Sequence, residues 1–330
     1  MLDVHTHFLP HDLPPPSESA VAEGWPVTEA HGEEIKVFQR GQHVRTIGSP
    51  AWDPAARIRD MDREGAVAQV VLPTPFTFLY DADPDLAARY ARSQNDRLAG
   101  LVDAGEGRFF GFGTVPLQDP GAAVEEIRRI RGELGLHGVE IGTHADRYLL
   151  HDKELDAVWA ELEASGAAVF VHPWRPVAPH RSGHHGLAFG LGRPIETELA
   201  VGSLLFGGVL DRFPRLRVCL AHGGAGIPAL RGRLDNGWRR QDQEFPGVRP
   251  GEALRRLWSD GLTYDARVLV LAEDTFGADR MVVGSDYPFA ARETPVGAAY
   301  RDAAGDLRMG ERWRDQTTRN ALDFLGRRDA

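Results

Sequence analysis

Two histidines straddle a single threonine at the start of the chain, in MLDVHTHFLP. Alternate side chains of a strand point to one face. An extended Leu2–His7 would therefore project His5 and His7 together, close enough to grip one metal ion. An isolated His-x-His is most often a surface feature, so the rest of the chain has to decide. Three further polar residues end apolar runs: His172 in AAVFVHPW, His222 in LRVCLAHGG and Asp286 in RMVVGSDYP. Imidazole nitrogen and carboxylate oxygen suit a divalent ion such as Zn²⁺. His5, His7, His172 and Asp286 are expected to hold one ion and to leave room for a water. A bound Zn²⁺ lowers the pKa of such a water to about 7. His222 is either a fourth nitrogen ligand or an unligated acid–base near the ordinary histidine pKa of about 6.5. The second role is favoured.

These residues can meet only if their strands converge, and the order of elements provides for that. DPAARIRDMDREG starts with a capping Asp53, has Pro54 in its first turn and ends at Gly65, which predicts a helix. Apolar strands and amphipathic helices then alternate through AVAQVVLPTP, DPDLAARYARSQNDRLAGLV, FFGFGTVPL, DPGAAVEEIRRIRGELG, HGVEIGTH, DKELDAVWAELEASG and AAVFVHPW. The alternation continues through LRVCLAHGG, the helix GIPALRGRLDNGWRRQ, LTYDA and RMVVGSDYP to a helical C-terminus. Strands are expected near residues 2, 68, 109, 138, 167, 217, 260 and 280. Continuously apolar strands alternating with helices imply a parallel sheet covered by helices. Eight of them imply an α/β fold of the (β/α)8 TIM-barrel type, whose strand C-termini carry the chemistry. An open doubly wound sheet is disfavoured, because no Gly-x-Gly-x-x-Gly follows the first strand. The chain 1–330 is read as one domain with two interruptions. Residues 11–50 form a small β-hairpin insertion turning at Arg40–Gly41, and 175–194 form a Gly/Pro/His-rich active-site loop.

Composition narrows the function. The net charge of −10 argues against nucleic acid, and no apolar run reaches a membrane span. The single cysteine, Cys219, excludes an internal disulfide. No charged stretch followed by an apolar run opens the sequence, so a cytoplasmic protein is expected. Only Lys36 and Lys153 are lysines among 38 basic residues, and neither ends a strand.

The five polar residues resemble the ligand pattern of the amidohydrolase superfamily. Two-metal members bridge their ions with a modified lysine on the fourth strand. Here that strand reads HGVEIGTH, where Glu140 is the one residue that could bridge, so a single metal is expected. SPAWDPAARIRDMDREGAVAQVVLPTP, SQND, VPLQDP, GVEIGTH, VHPW, PIETELA, AHGGAGIPALRGRLDN and GSDYPF together resemble the 2-amino-3-carboxymuconate-6-semialdehyde decarboxylase family, from Val4 to about Asn320. The resemblance implies one zinc on His5, His7, His172 and Asp286, with His222 as the proton-moving residue. It further implies that Arg45 holds substrate carboxylate, that Arg233 reaches the site of the partner in a homodimer, and that Phe289 walls the pocket. Phe189 keeps one aromatic in a loop that the family fills with several. No role is assigned to His180, His184 or His185, which are read as loop residues.

The expected activity is a metal-dependent, non-oxidative decarboxylation of a small unsaturated or aromatic carboxylic acid. A zinc-dependent hydrolase or hydratase of a lactone, amide or enol-acid would use the same metal and base. A catalytically dead scaffold is disfavoured, since no ligand is missing.

Overall fold

The computed structural model describes residues 1–13, 15–240, 248–306 and 312–327. Its strands run in chain order β1 (Leu2–Phe8), β2 (Val27–His31), β3 (Glu34–Gln39), β4 (Gln42–Gly48), β5 (Ala68–Pro73), β6 (Phe109–Thr114) and β7 (Gly138–Gly142). They continue as β8 (His144–Ala145), β9 (Tyr148–Leu149), β10 (Ala168–His172), β11 (Arg217–Leu220), β12 (Trp258–Asp260) and β13 (Met281–Val282). Eight of these form one parallel sheet in the order β1-β5-β6-β7-β10-β11-β12-β13. Main-chain bonds Val4 N–H to Val283 O, His7 N–H to Tyr287 O and Asp286 N–H to His5 O join its last strand to its first. The fold is a (β/α)8 barrel, as the alternation of elements predicts.

Strand side chains divide between two layers. Val71, Val139, Ile141, Val171 and Leu220 pack outward against helix residues such as Ile127 and Trp159. Leu2, Val4, Val70, Phe112, Phe170 and Val282 fill the barrel interior. The helices begin and end where their residue types dictate. In Pro54–Glu64 the Asp53 side chain accepts from Ala55 N–H, and Gly65 ends the helix at φ 76°, in the left-handed region. The helix after β11 spans Ile227–Arg239, and Gln241 at its expected end lies outside the described residues.

Three details differ from the sequence reading. The insertion is larger than a hairpin. β3 and β4 do turn at Arg40–Gly41, but β2 pairs with β3 to make a three-stranded antiparallel sheet. The seventh barrel strand is Trp258–Asp260, and LTYDA follows it. The loop 175–194 contains two short helical turns, Pro179–Ser182 and Ala188–Gly192, which lead into the helix Arg193–Phe206.

Two contacts anchor the strand that carries His5 and His7. Arg57 is fully buried on the helix after the insertion. It donates to Thr6 Oγ1 at 2.9 Å, Gln69 Oε1 at 3.1 Å and Pro50 O at 3.2 Å, and also to the His7 carbonyl. Burial pushes its pKa down to about 10, still cationic at neutral pH. On the other side, the insertion packs Ile35, Val37 and Ile47 against Leu9 and Phe289. That contact fixes the β3–β4 sheet over the C-terminal end of β1.

A metal-binding cluster at the barrel mouth

His5 and His7 sit on β1, His172 ends β10, and Asp286 follows β13. One ligand atom from each lies within 4.8 Å of every other, and all four residues are buried. His5 Nε2 is 3.1 Å from His7 Nε2, and Asp286 Oδ1 is 3.1 Å from His7 Nε2 and 3.6 Å from His5 Nε2. A tetrahedral ion with bonds of about 2.0–2.1 Å has ligand–ligand edges of about 3.3–3.4 Å.

The outer ring nitrogens decide which way the lone pairs face. His7 Nδ1–H donates to Pro73 O at 2.9 Å and His172 Nδ1–H to Pro173 O at 3.0 Å. His5 Nδ1–H donates to the Asp260 carboxylate at 2.6 Å. A carbonyl or carboxylate can only accept, so Nδ1 carries the proton in each ring. Each Nε2 lone pair is then turned inward. Lone pairs meeting at 3.1 Å repel unless a cation lies between them, and this donor set fits a divalent metal.

The protonation of His7, His172 and Asp286 agrees with that fit, whereas His5 is drawn the other way by its carboxylate neighbours. Burial, which Asp286 only partly offsets, holds His7 below the usual histidine range. Burial and the neighbouring His222 and His5 hold His172 well below it. His5 is opposed by burial but raised overall by Asp260. Asp286 is raised by burial but lowered more by the adjoining His7 and His5 rings, to about 2, and is ionised at neutral pH.

His222 is not one of the four residues whose ligand atoms meet, but it adjoins them. Its ring centroid is 5.0 Å from that of His172 and 5.2 Å from that of His5, and it is half-buried. Burial and the nearby His5 push its pKa down to about 4, so it is neutral at pH 7. The backbone there is left-handed at His222, φ 59°, and stays so through Gly223 and Gly224. A β-carbon at Gly223 would meet the Thr263 side chain at 2.5 Å, and one at Gly224 the Phe276 ring at 2.6 Å. Only glycines allow the turn that swings His222 over the mouth.

A cavity of about 330 Å³ opens above the cluster, lined by His172, His222, Asp286, Phe289, Arg45 and Arg193. Phe289 stacks on His7 at 4.9 Å, and the Arg45 guanidinium lies 4.3 Å above the Phe289 ring. Arg45 pairs with Val37 in register and so shares the buried face of the insertion with it. Phe189 lines the cavity with half its surface exposed. Arg233 is exposed on the helix after β11 and does not line the cavity of its own chain. His180, His184 and His185 are exposed and stand outside it. Glu140 is fully buried, its carboxyl oxygens have no hydrogen-bond partner, and it is not among the four clustered residues. Burial holds its pKa well above the usual range.

The sequence model of the amidohydrolase family matches residues 2–326. The chain belongs to the amidohydrolase family. It is 35% identical over 291 residues to 2-amino-3-carboxymuconate-6-semialdehyde decarboxylase of Dictyostelium discoideum, covering 87% of this chain and 81% of that one. In fold, this amidohydrolase is similar to IDCase from Metarhizium anisopliae, with a TM-score of 0.83 at 23% identity over 99% and 97% of the two chains. It is also similar to 5-carboxyvanillate decarboxylase from Novosphingobium aromaticivorans complexed with manganese, with a TM-score of 0.74 at 24% identity over 84% and 82%.

Sequence reasoning missed Asp260 and Asp3 in this amidohydrolase. Fully buried Asp260 gives one oxygen to His5 and the other to Gly223 N–H at 2.9 Å and Leu262 N–H at 3.2 Å. It therefore orients His5 and pins the turn that carries His222. Its signal was the same as that of the others, a polar residue ending an apolar strand, but that strand was expected in LTYDA. Asp3, pushed up to about 7 by burial, accepts from His5 N–H and from Ser285 Oγ. A carboxylate that accepts from the ring of a ligating imidazole, as Asp260 does from His5, raises its basicity. Asp260→Asn is accordingly expected to weaken divalent-metal affinity about 10–100-fold. Chelator competition on folded protein measures this, and an unchanged affinity would show that Asp260 serves only the fold.

Proposed function

We propose that the chain is a metal-dependent, non-oxidative decarboxylase of a small unsaturated or aromatic carboxylic acid. The observation that carries this reading is an inward-facing His₃Asp donor set beneath one cavity, which a neutral histidine outside that set and a guanidinium also line. The 35% identity to a named decarboxylase over most of both chains supports it. In this reading the unit is the whole chain 1–330, with the insertion 11–50 and the loop 175–194 forming its active-site walls.

His5, His7, His172 and Asp286 would hold the ion. A divalent ion there supplies Lewis-acid polarisation of an oxygen. Zinc suits three imidazoles and a carboxylate, and manganese is the metal named for the Novosphingobium decarboxylase. Arg45 grips a carboxylate through its planar fork. Phe289, backed by His7 and capped by Arg45, gives a conjugated substrate a flat surface to lie on. Trp174 and Phe76 on the cavity wall exclude water. When CO₂ leaves, the C–C bond breaks and its electron pair stays on the unsaturated carbon. His222, neutral and lining the same cavity, takes up a proton from water and delivers it to that carbon in place of the lost carboxyl group. The single buried Cys219 is in keeping with a cytoplasmic enzyme.

The reaction is tested by incubating metal-loaded protein with a panel of conjugated and aromatic carboxylic acids. One CO₂ per substrate consumed is expected for at least one of them. His222→Ala should keep the metal and lose turnover by about 10²–10⁴-fold. Substrate loss without CO₂ would point to a hydrolase, and loss of metal in the variant would make His222 a ligand.

The proposal extends to a homodimer in which Arg233, exposed on its own subunit, completes the partner's site. Mixing inactive Arg233→Ala with inactive His222→Ala protein should then restore activity, because one site of each hybrid has both residues. Verified subunit exchange with no recovery contradicts the shared site.

A further inference from the structure

Arg193 was not singled out by the sequence, yet it lines the same cavity as Arg45, His222 and Asp286. It is the first residue of the helix Arg193–Phe206, where the positive end of the helix dipole disfavours a cation. Arg45 feels the charges of both Arg193 and Asp286, and Arg193 feels Asp286, so both guanidinium groups sit at the mouth of the cluster. Both are half-buried, and neither has a hydrogen bond or ion pair with another described residue. Asp286 is the one carboxylate among the described residues lining the cavity, and it is turned to the histidines. Two guanidiniums and a divalent ion against one carboxylate leave about three positive charges uncompensated in a partly dry pocket. A half-buried arginine without a partner is costly unless an anion completes it.

We propose that Arg193 binds a second carboxylate of the substrate, so that one subunit's Arg45 and Arg193 together select a dicarboxylic acid over a monocarboxylic one. The proposal rests on the reading of this cavity as a site for carboxylic acids. Arg45 approaches from the insertion and Arg193 from the helix that ends the active-site loop, so the two arrive from separate elements. A planar acid lying on Phe289 would then have a cation at more than one edge. The planar fork of arginine favours bidentate contact with each carboxylate.

The test is binding of benzoate and of the three benzenedicarboxylates, phthalate, isophthalate and terephthalate, to metal-loaded protein by calorimetry. The three isomers sample the possible carboxylate spacings. At least one should bind about 10–100-fold tighter than benzoate, the range of a charge-assisted contact. Arg193→Met should remove that preference and leave benzoate affinity within about twofold, while Arg193→Lys keeps part of it. Arg193→Gln gives the same reading should the methionine variant unfold. Equal weakening of both ligand classes, no preference in the wild type, or loss of the preference in Arg233→Ala but not in Arg193→Met would each overturn the proposal. Because binding is read without turnover, an intact dicarboxylate preference with no CO₂ release would sink the decarboxylase reading and leave Arg193 in its role.

Discussion

Three imidazole lone pairs and a carboxylate oxygen aimed at one point cannot stand together in a dry barrel without positive charge between them. The rest of the structure is arranged around that constraint. Pro73 O, Pro173 O and Asp260 each take an Nδ1 proton, which fixes the tautomers. Asp260 does so while also accepting from Gly223 and Leu262, so a single side chain ties the His5 ring to the turn beyond β11. His5 and His222 are thereby positioned by one carboxylate, although they lie 217 residues apart in the sequence. Arg57 closes the arrangement from outside by holding the His7 carbonyl.

The mouth above the cluster is built from parts that lie outside the barrel pattern. The insertion sheet uses the ordinary period of two, with Ile35, Val37 and Ile47 turned inward, but puts Arg45 at the next inward position. An arginine there is tolerated because Phe289 offers a ring face to its guanidinium. His7, Phe289 and Arg45 form a column that links a ligand of the cluster to a substrate-facing cation. The barrel thus supplies the chemistry, and the insertion and the loop helix supply the charge that would draw an acid to it.

The fold was legible because alternating apolar strands and capped helices leave few topologies open. The four clustered residues were legible because a polar side chain ending an apolar run is costly to bury without purpose, and such residues lie on β1, at the end of β10 and just beyond β13. Asp260 follows the same rule, yet β12 is only three residues long and gives little periodicity to find it by. Arg57 and Arg193 were hidden for another reason. Among 36 arginines, nothing local marks the one that is buried or the one that faces a cavity, since both properties arise from elements distant in sequence. The third strand of the insertion was missed because Val27–His31 is mostly exposed and so lacks the strict alternation of β3.

The central claim is that His5, His7, His172 and Asp286 form a site for a single divalent ion. Elemental analysis of purified wild-type protein and of a His5→Ala/His7→Ala variant tests it most directly. The account predicts about one divalent ion per chain in the wild type and none retained in the folded variant. Two ions per wild-type chain, or a metal content unchanged by the double substitution, would contradict it.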